Sequence, residues 1–221
     1  MDGAASLGVV LIESQVERLL RYASLLQKWN KSFNLISRRD MGRLSSRHLL
    51  DSLSGLSLLH GTHIMDLGSG GGLPGIPLAI AAPDQQFCLC DRSERRTRFL
   101  REVARSLVLD NVEVWCGNYG SERPTQAAFD TVVARGVATV AELWAMVQAQ
   151  LSADGRLVVY ASTQGDVTGP AQDEYPALLP SIPGEQRLSV IRQVYNIPGL
   201  EQHHALLCVE RAITESEECR R

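Results

Sequence analysis

Asp66-Leu-Gly-Ser-Gly-Gly-Gly-Leu-Pro-Gly-Ile-Pro77 is the stretch whose reading decides the fold of this chain. It follows the apolar-leaning His63-Ile-Met-Asp-Leu67 and opens into Leu78-Ala-Ile-Ala-Ala82. A short strand-like run, a glycine cluster and then Pro74 near the start of a helical run is the layout of a first βα turn in a parallel α/β sheet. Glycines at such a turn let backbone N–H groups come close to a ligand, because no Cβ stands in the way and positive φ carries no penalty. An ordinary flexible loop is the competing reading, but punctuation this dense at a strand-helix junction favours a ligand loop.

The ligand can be narrowed. Gly70, Gly72 and Gly75 match G-x-G-x-x-G, the dinucleotide fingerprint, but the pattern should begin as the strand ends, and the glycine there is Gly68. Started at Gly68, the fingerprint fails at Leu73. What fits is an acidic residue in the last turn of the strand, Asp66, followed by Gly68, Gly70 and Gly72, which is similar to motif I of S-adenosylmethionine-dependent methyltransferases. A second acidic residue, Asp91, ends the next strand-like run about 20 residues on, where a carboxylate can accept hydrogen bonds from both hydroxyls of a ribose. That residue supports an adenosyl ligand without separating one adenosyl cofactor from another.

With 221 residues, 44% of them hydrophobic and 21% charged, the chain reads as an ordinary globular protein with enough length to bury a full core. The five cysteines form no C-x-x-C pair and no even framework, so neither a zinc site nor a disulfide scaffold is expected, and no metal ligands are assigned. No apolar run approaches the roughly 20 residues of a membrane span, and Met1-Asp-Gly-Ala-Ala-Ser lacks the basic region of a secretory signal, so a reducing cytoplasm is the expected compartment.

Net charge is only -3, yet its distribution is uneven. From Ser14 to Arg47 eight Lys and Arg stand against Glu17 and Asp40, a local +6, and from Arg92 to Arg105 six Arg stand against Glu94 and Glu102, a local +4. The rest of the chain therefore carries -13. Two basic islands in an acidic chain form one phosphate-binding face if the fold brings them together; otherwise each is a solvated helix face.

Ser14-x-x-Glu17 has the form of a capping box, and Val16, Leu19, Leu20, Ala23 and Leu26 recur at helical spacing, so a basic amphipathic helix is predicted from Ser14 to about Asn30. Trp29 and Phe33 read first as core anchors and second as base-stacking platforms. A second helix is predicted across Met41 to Leu59, making residues 1–60 an N-terminal helical extension of a domain spanning 61–221. From His63 the pattern alternates in α/β fashion. Strands are predicted at 64–67, 87–90, 112–115, 130–134 and 156–160, the last after an Asp154-Gly155 turn, with helices at 74–82, 94–107 and 140–151. A loop follows Ala161, and 188–195 and 204–210 are predicted to pair antiparallel at the sheet edge. The expected fold is a doubly wound, mostly parallel seven-stranded Rossmann-like sheet with the helical extension in front.

Taken together, the motifs resemble one family in order and spacing. They are Trp29-Asn-Lys with Asn34-Leu, His48-Leu-Leu-Asp-Ser52, the 66–77 string, Asp91 with Arg95-Arg-x-Arg-Phe-Leu100, Asn111-Val112, and Asp130-x-Val-Val-x-Arg135. That family is the glucose-inhibited division protein B family, bacterial guanine-N7 methyltransferases of 16S small-subunit ribosomal RNA. The resemblance implies an enzyme with S-adenosyl-L-methionine as cofactor and small-subunit ribosomal RNA, or a ribosomal particle, as partner, and a monomer is expected. It implies a cofactor site of Asp66, Gly68, Gly70, Gly72, Leu73, Asp91, Asn118, Tyr119, Gly120 and Arg135. It further implies that RNA is met by Lys28, Lys31, Asn34, Arg38, Arg39, His48, Arg95, Arg96 and Arg135. Two departures stand out. Cys116-Gly-Asn-Tyr-Gly120 lacks the Arg and Glu usual in the family near that loop, leaving Asn118 as the substitute for adenine contacts, and Ala161-Ser-Thr-Gln lacks the family's lysine.

The residues agree with N7 as acceptor mainly by exclusion. Lys28 and Lys31 are the only lysines, so a Lys-Asp-Lys-Glu tetrad for ribose methylation cannot be assembled. No Asn-Pro-Pro-Tyr or Asp-Pro-Pro-Tyr is present for an exocyclic amine, no Pro-Cys offers a nucleophile for pyrimidine carbon, and Cys116 reads as a buried strand-end thiol. Guanine N7 has a free lone pair and no proton to lose, so no acid or base is assigned, and catalysis is expected to rest on alignment and desolvation. His48 reads first as a hydrogen-bonded helix residue. Arg135 either orients the guanine through O6 or forms an ion pair with Asp91 or Asp130. Two rivals stay open: an NAD-dependent oxidoreductase using the Gly70 frame, and a non-catalytic RNA-binding or assembly module of the same fold.

Overall fold

A computed structural model describes residues 2–37, 44–119, 124, 128–161, 188–198, 200 and 203–212. Seven strands form one sheet in the order β3-β2-β1-β4-β5-β7-β6. The first five, β1 (His63–Leu67), β2 (Gln86–Asp91), β3 (Val112–Cys116), β4 (Phe129–Arg135) and β5 (Leu151–Ala161), run parallel. The last two, β6 (Leu188–Asn196) and β7 (His203–Arg211), are antiparallel, with β7 between β5 and the edge strand β6. Strand order reverses at β1 and β4, which start outward runs in opposite directions and leave a crevice at their carboxyl ends.

Side chains alternate across the sheet with the period of 2 expected for strands. Ile64, Phe87, Leu89, Val133, Val158, Leu206 and Cys208 join one core, shared with the N-terminal helices and with α4 (Gly75–Ala81) and α5 (Glu94–Leu107). Met65, Leu67, Cys88, Cys90, Val132, Leu157 and Leu207 join a second core on the opposite face, with Leu143, Trp144 and Val147 of α6 (Val140–Val147). The same parity puts Asp66, Asp91, Arg135, Tyr160 and His204 on the first face, toward the N-terminal segment.

The N-terminal helices are α1 (Asp2–Ala5) and α2 (Glu13–Phe33), followed by a π-helical stretch at Leu44–Leu49, α3 (Leu50–Leu53) and a 3-10 turn at Ser54–Leu58. Three expectations are corrected here. Ser14 is not the cap of α2: the helix starts at Glu13, after Ile12, whose N–H donates to Gln15 Oε1 at 3.0 Å. The second helix is broken into three short helical types where described, and Met41 lies outside the described residues. The Asp154-Gly155 turn falls inside β5, which begins at Leu151, where the third α/β helix was expected to end. A register shift between Phe129 and Thr131 lets the parallel pairing absorb the extra residues there. The predicted loop over 162–187 lies outside the described residues.

Helix α2 of the N-terminal extension packs against the first face of the sheet. Leu19, Tyr22 and Leu26 are buried against the first face, and Asn30 fixes the chain after the helix by donating to Ile36 O at 3.1 Å and accepting from Ile36 N at 2.9 Å. Gln15 Nε2 donates to the carbonyls of Ile80 and Ala81, both at 3.1 Å, satisfying carbonyls at the end of α4 that no next turn can reach. Helix α5 buries Phe99, Leu100, Val103 and Leu107, each contributing about 1.5–3 kcal/mol. Among the described residues no helix is long and apolar enough to cross a membrane.

Candidate cofactor and nucleic-acid site

Past the end of β1 the backbone turns through Gly68 (φ +73) and Gly70 (φ +57). The N–H groups of Gly68 and Ser69 donate to Cys90 O at 2.8 and 2.9 Å, extending the β1–β2 pairing into the loop. A Cβ on Gly68 would lie 2.6 Å from Val137 Cγ2, so only glycine lets the loops after β1 and β4 approach this closely. At Gly70 a Cβ would meet nothing nearer than Gly68 O at 3.8 Å, so this side of the loop is open to a ligand.

Beneath the loop lies Asp66. Its side chain is fully buried, Oδ2 accepts from Gly75 N at 3.0 Å, and Oδ1 has no hydrogen-bond partner among the described residues. Burial pushes its acid up to about 7, against the lowering effect of the Gly75 N–H, the Ser69 hydroxyl and the more distant Arg135 charge. Tyr22 holds the loop from the other side, donating from its buried hydroxyl to Gly71 O at 2.6 Å. The loop is thus clamped between a carboxyl group of the sheet and a phenol of the basic helix.

The cleft itself has a volume of about 420 Å³, within the range of small-molecule sites. Gly68, Asp91, Arg96, Asn118 and Tyr119 border it, with Trp115, Val137, Ala138 and Met146 as an apolar wall. Asp91 is 5% exposed. Its Oδ2 accepts from Gly70 N at 2.9 Å and lies 3.4 Å from Arg96 Nη1, while Oδ1 accepts from Ser93 N at 2.8 Å. Each carboxylate oxygen is aimed by a backbone amide and keeps further lone-pair capacity for a hydroxyl. The Tyr119 hydroxyl donates to Gln150 Oε1.

The remaining expected residues fall in three groups. Asp66, Gly72 and Leu73 are buried and do not border the cleft: Asp66 and Gly72 shape the loop from inside, and Leu73 belongs to the first core. Gly120, Arg38 and Arg39 lie outside the described residues. Arg135 pairs with neither Asp91 nor Asp130; its Nη1 is 3.0 Å from Asp51 Oδ2. Cys116 is half-buried, not buried, because β3 is the sheet's edge strand.

The two basic islands meet. Trp29 packs on Phe99 with ring centroids 5.4 Å apart and on Phe33 at 5.2 Å, while the Arg95 guanidinium sits 5.6 Å from the Phe33 ring centroid. Arg21 Nη2 donates to Ser106 O at 3.0 Å. Helices α2 and α5 therefore lie side by side with Lys28, Lys31, Arg95 and Arg98 exposed and Asn34 exposed at the left-handed end of α2 (φ 48). Trp29 serves the core, whereas Phe33, 36% exposed, belongs to the surface.

One group escaped the sequence reading. Asp51, Tyr195 and His204 come from widely separated segments and meet Arg135 at the carboxyl end of β4. Burial would raise the Asp51 acid, but the hydrogen bond from His204, the Arg135 charge and the Tyr195 hydroxyl together hold it below the usual carboxylate range. The only signal in the sequence was strand parity, and that needed the pairing of β7 with β5 to become contact.

A putative O-methyltransferase from Klebsiella pneumoniae superposes with a TM-score of 0.59 at 15% identity, over 89% of this chain and 90% of that one. The O-methyltransferase TomG from Streptomyces achromogenes, solved in complex with SAM, superposes with a TM-score of 0.54 at 19% identity, over 93% and 92%. At these identities the likeness is one of fold. In sequence, the ribosomal RNA small subunit methyltransferase G of Marinobacter nauticus is 37% identical over 211 residues, 96% of this chain and 93% of that protein. Its namesake from Ectopseudomonas mendocina is 38% identical over 215 residues, 96% and 95%. The family model GidB, rRNA small subunit methyltransferase G, matches residues 15–172, and with that match over most of its length the chain belongs to the GidB family of rRNA small subunit methyltransferases.

Proposed function

We propose that this chain transfers the methyl group of S-adenosyl-L-methionine to N7 of a guanine in 16S small-subunit ribosomal RNA, acting as a cytoplasmic monomer. Asp91 carries the reading of the cofactor: a nearly buried carboxylate at the end of β2, aimed by Gly70 N and Ser93 N into a cleft, suits the two hydroxyls of an adenosyl ribose. The cleft's donor set fits the rest of the group. Gly68 brings the backbone of the glycine loop to the cleft's edge for the chain that carries the sulfonium, and Trp115, Val137 and Met146 offer apolar surface to a purine, with Asn118 beside them for its polar edge. When bound, S-adenosyl-L-methionine supplies an electrophilic methyl on a positively charged sulfur.

The acceptor follows from the protonation chemistry of the same lining. Asp91 is engaged by two amides and Arg96, Tyr119 donates to Gln150, and Asp66, the carboxyl group lifted toward neutrality, is sealed under the loop. This arrangement suits an acceptor that gives up no proton. Guanine N7 attacks with its lone pair, the N–CH3 bond forms as the S–CH3 bond breaks, and the bond's electron pair stays on sulfur. The protein's contribution is alignment and exclusion of water.

The joined α2 and α5 face supports RNA as the carrier of that guanine. Lys28, Lys31, Arg95, Arg96 and Arg98 are exposed on these two helices, and Arg96 also borders the cleft. Phosphate contacts of this kind fix register without reading bases. The test is methyl transfer onto small ribosomal subunits from cells lacking the enzyme, followed by borohydride and aniline treatment, which cuts at cationic 7-methylguanosine. Cleavage at one position, and a single-turnover rate nearly flat from weakly acid to weakly alkaline pH, is expected; a methylated RNA that resists cleavage would overturn N7 as acceptor.

A further inference from the structure

Binding a cofactor does not account for Asp51. Its Oδ2 holds Arg135 Nη1 at 3.0 Å, its Oδ1 accepts from the Tyr195 hydroxyl at 2.6 Å, and His204 Nδ1 lies 3.3 Å from the same oxygen. Next to it, the buried Tyr160 hydroxyl donates to Ser52 O at 2.6 Å. One helical turn, α3, is thereby tied to β4, β5, β6 and β7 at their ends nearest the cleft. The Asp51 and His204 side chains are 13% and 12% exposed, whereas Arg135 keeps 20%.

Arg135 is placed to matter. It is the last residue of β4, and Gly136, the next residue, turns through φ +65 and borders the cleft. A guanidinium is a planar fork of five N–H donors. Fixing Nη1 on Asp51 fixes the plane and leaves the other donors for a ligand. On guanine's Hoogsteen edge the acceptors are N7 and O6, and a donor on O6 orients the base while leaving the N7 lone pair unoccupied.

We propose that Asp51 is a positioning residue for methyl transfer: clamped by Tyr195 and His204, it holds Arg135, whose neighbour Gly136 borders the cleft, in the orientation that the acceptor base requires. The inference rests on the methyl-transfer reading above. It assigns the antiparallel end of the sheet to the acceptor, and the parallel end to the cofactor.

Asp51→Asn, Tyr195→Phe, Arg135→Ala and the Asp51→Asn/Arg135→Ala double variant test it. Each is assayed as the full chain on small ribosomal subunits from cells lacking the enzyme, by single-turnover methyl transfer at saturating RNA and S-adenosyl-L-methionine. Calorimetric S-adenosyl-L-methionine affinity and thermal unfolding are measured in parallel. The expected result for Asp51→Asn is a rate at least tenfold lower with cofactor affinity within threefold of the parent. Tyr195→Phe, which removes one hydroxyl and no charge, is expected to lower the same rate about threefold. In the double variant, Arg135→Ala adds little to the loss already caused by Asp51→Asn, because both remove one arrangement. A merely structural carboxylate would lower the melting temperature and leave the rate of the folded enzyme intact. The proposal is overturned by that outcome, by losses that multiply in the double variant, or by an unchanged rate in Tyr195→Phe should Asp51→Asn not fold. If the parent methylates no guanine N7, the functional reading fails first; if the parent is active and these variants match it, only the present inference fails.

Discussion

Two aspartates, fifteen residues apart in sequence and both packed at the first face of the sheet, have their acidities shifted in opposite directions. Asp66 sits under the glycine loop with one N–H on one oxygen and nothing on the other among the described residues, and burial raises its acid to about 7. Asp51 is half-buried, its side chain 13% exposed, and an arginine, a phenol and an imidazole surround it so that its acid is lowered. Depth alone does not set the charge of a buried carboxyl; the number and sign of the donors aimed at it do. The proposed cofactor end of the sheet is built from backbone amides and a buried carboxyl group whose pKa is raised, and the other end from a side-chain ion network.

The largest effect is expected at Asp51. Asp51→Asn leaves Arg135 without its partner in a covered site and should cost about 3–5 kcal/mol of stability near neutral pH. A carboxylate held below its ordinary value contributes stability above about pH 4 that is lost as pH falls through the lowered value. The deficit of the variant, followed by denaturant unfolding, should therefore shrink as the medium is acidified below about pH 4.

Asp66 has the opposite sign. A carboxyl raised from 3.8 to about 7 contributes stability at low pH that is lost as pH rises through about 7. Across that window the loss is roughly 4 kcal/mol. Asp66→Asn should remove this slope and unfold with a flatter pH dependence than the parent; an unchanged slope would mean that the two aspartates are not in different states.

A smaller change is expected at Asp91, on the cofactor end but facing the cleft. Asp91→Ala should weaken S-adenosyl-L-methionine binding by about 1.5–3 kcal/mol, roughly ten- to a hundredfold, from the loss of charge-assisted bonds to the ribose. Titration calorimetry checks it, and Asp51→Asn is the control that should leave this affinity in place. Smallest is Arg98→Glu on the exposed face of α5. It should lower RNA affinity modestly and reduce the slope of log K against log salt by about 1, without change in cofactor affinity.

The local sequence was legible wherever a short-range pattern controls backbone or burial. The glycine string placed the turn, the apolar alternation placed the strands to within a residue or two except at β5, and the two basic islands were visible as charge. Boundaries failed where tertiary pairing overrode local signals. Asp154-Gly155 has turn chemistry, yet Phe129 pairs with Leu151 and draws the segment into the sheet. Ser14 and Glu17 have cap chemistry, but Gln15 reaches both Ile12 and the end of α4, which fixes the start of the helix one residue earlier.

By itself the sequence determined that a glycine-rich turn follows β1 and that carboxyl groups lie at the ends of its first two strands, because spacing along one strand and turn is a local property. Whether Asp66 faces the ligand or supports the loop, whether the basic islands form one face, and which partner Arg135 takes were decided only in three dimensions. Asp51, Arg135, Tyr195 and His204 are up to 153 residues apart and meet because β7 returns antiparallel beside β5, bringing Ala205 opposite Ala161 and His204 to the carboxyl end of the parallel strands. Local periodicity carries no information on such long-range closures; they are selected by the burial of two sheet faces at once.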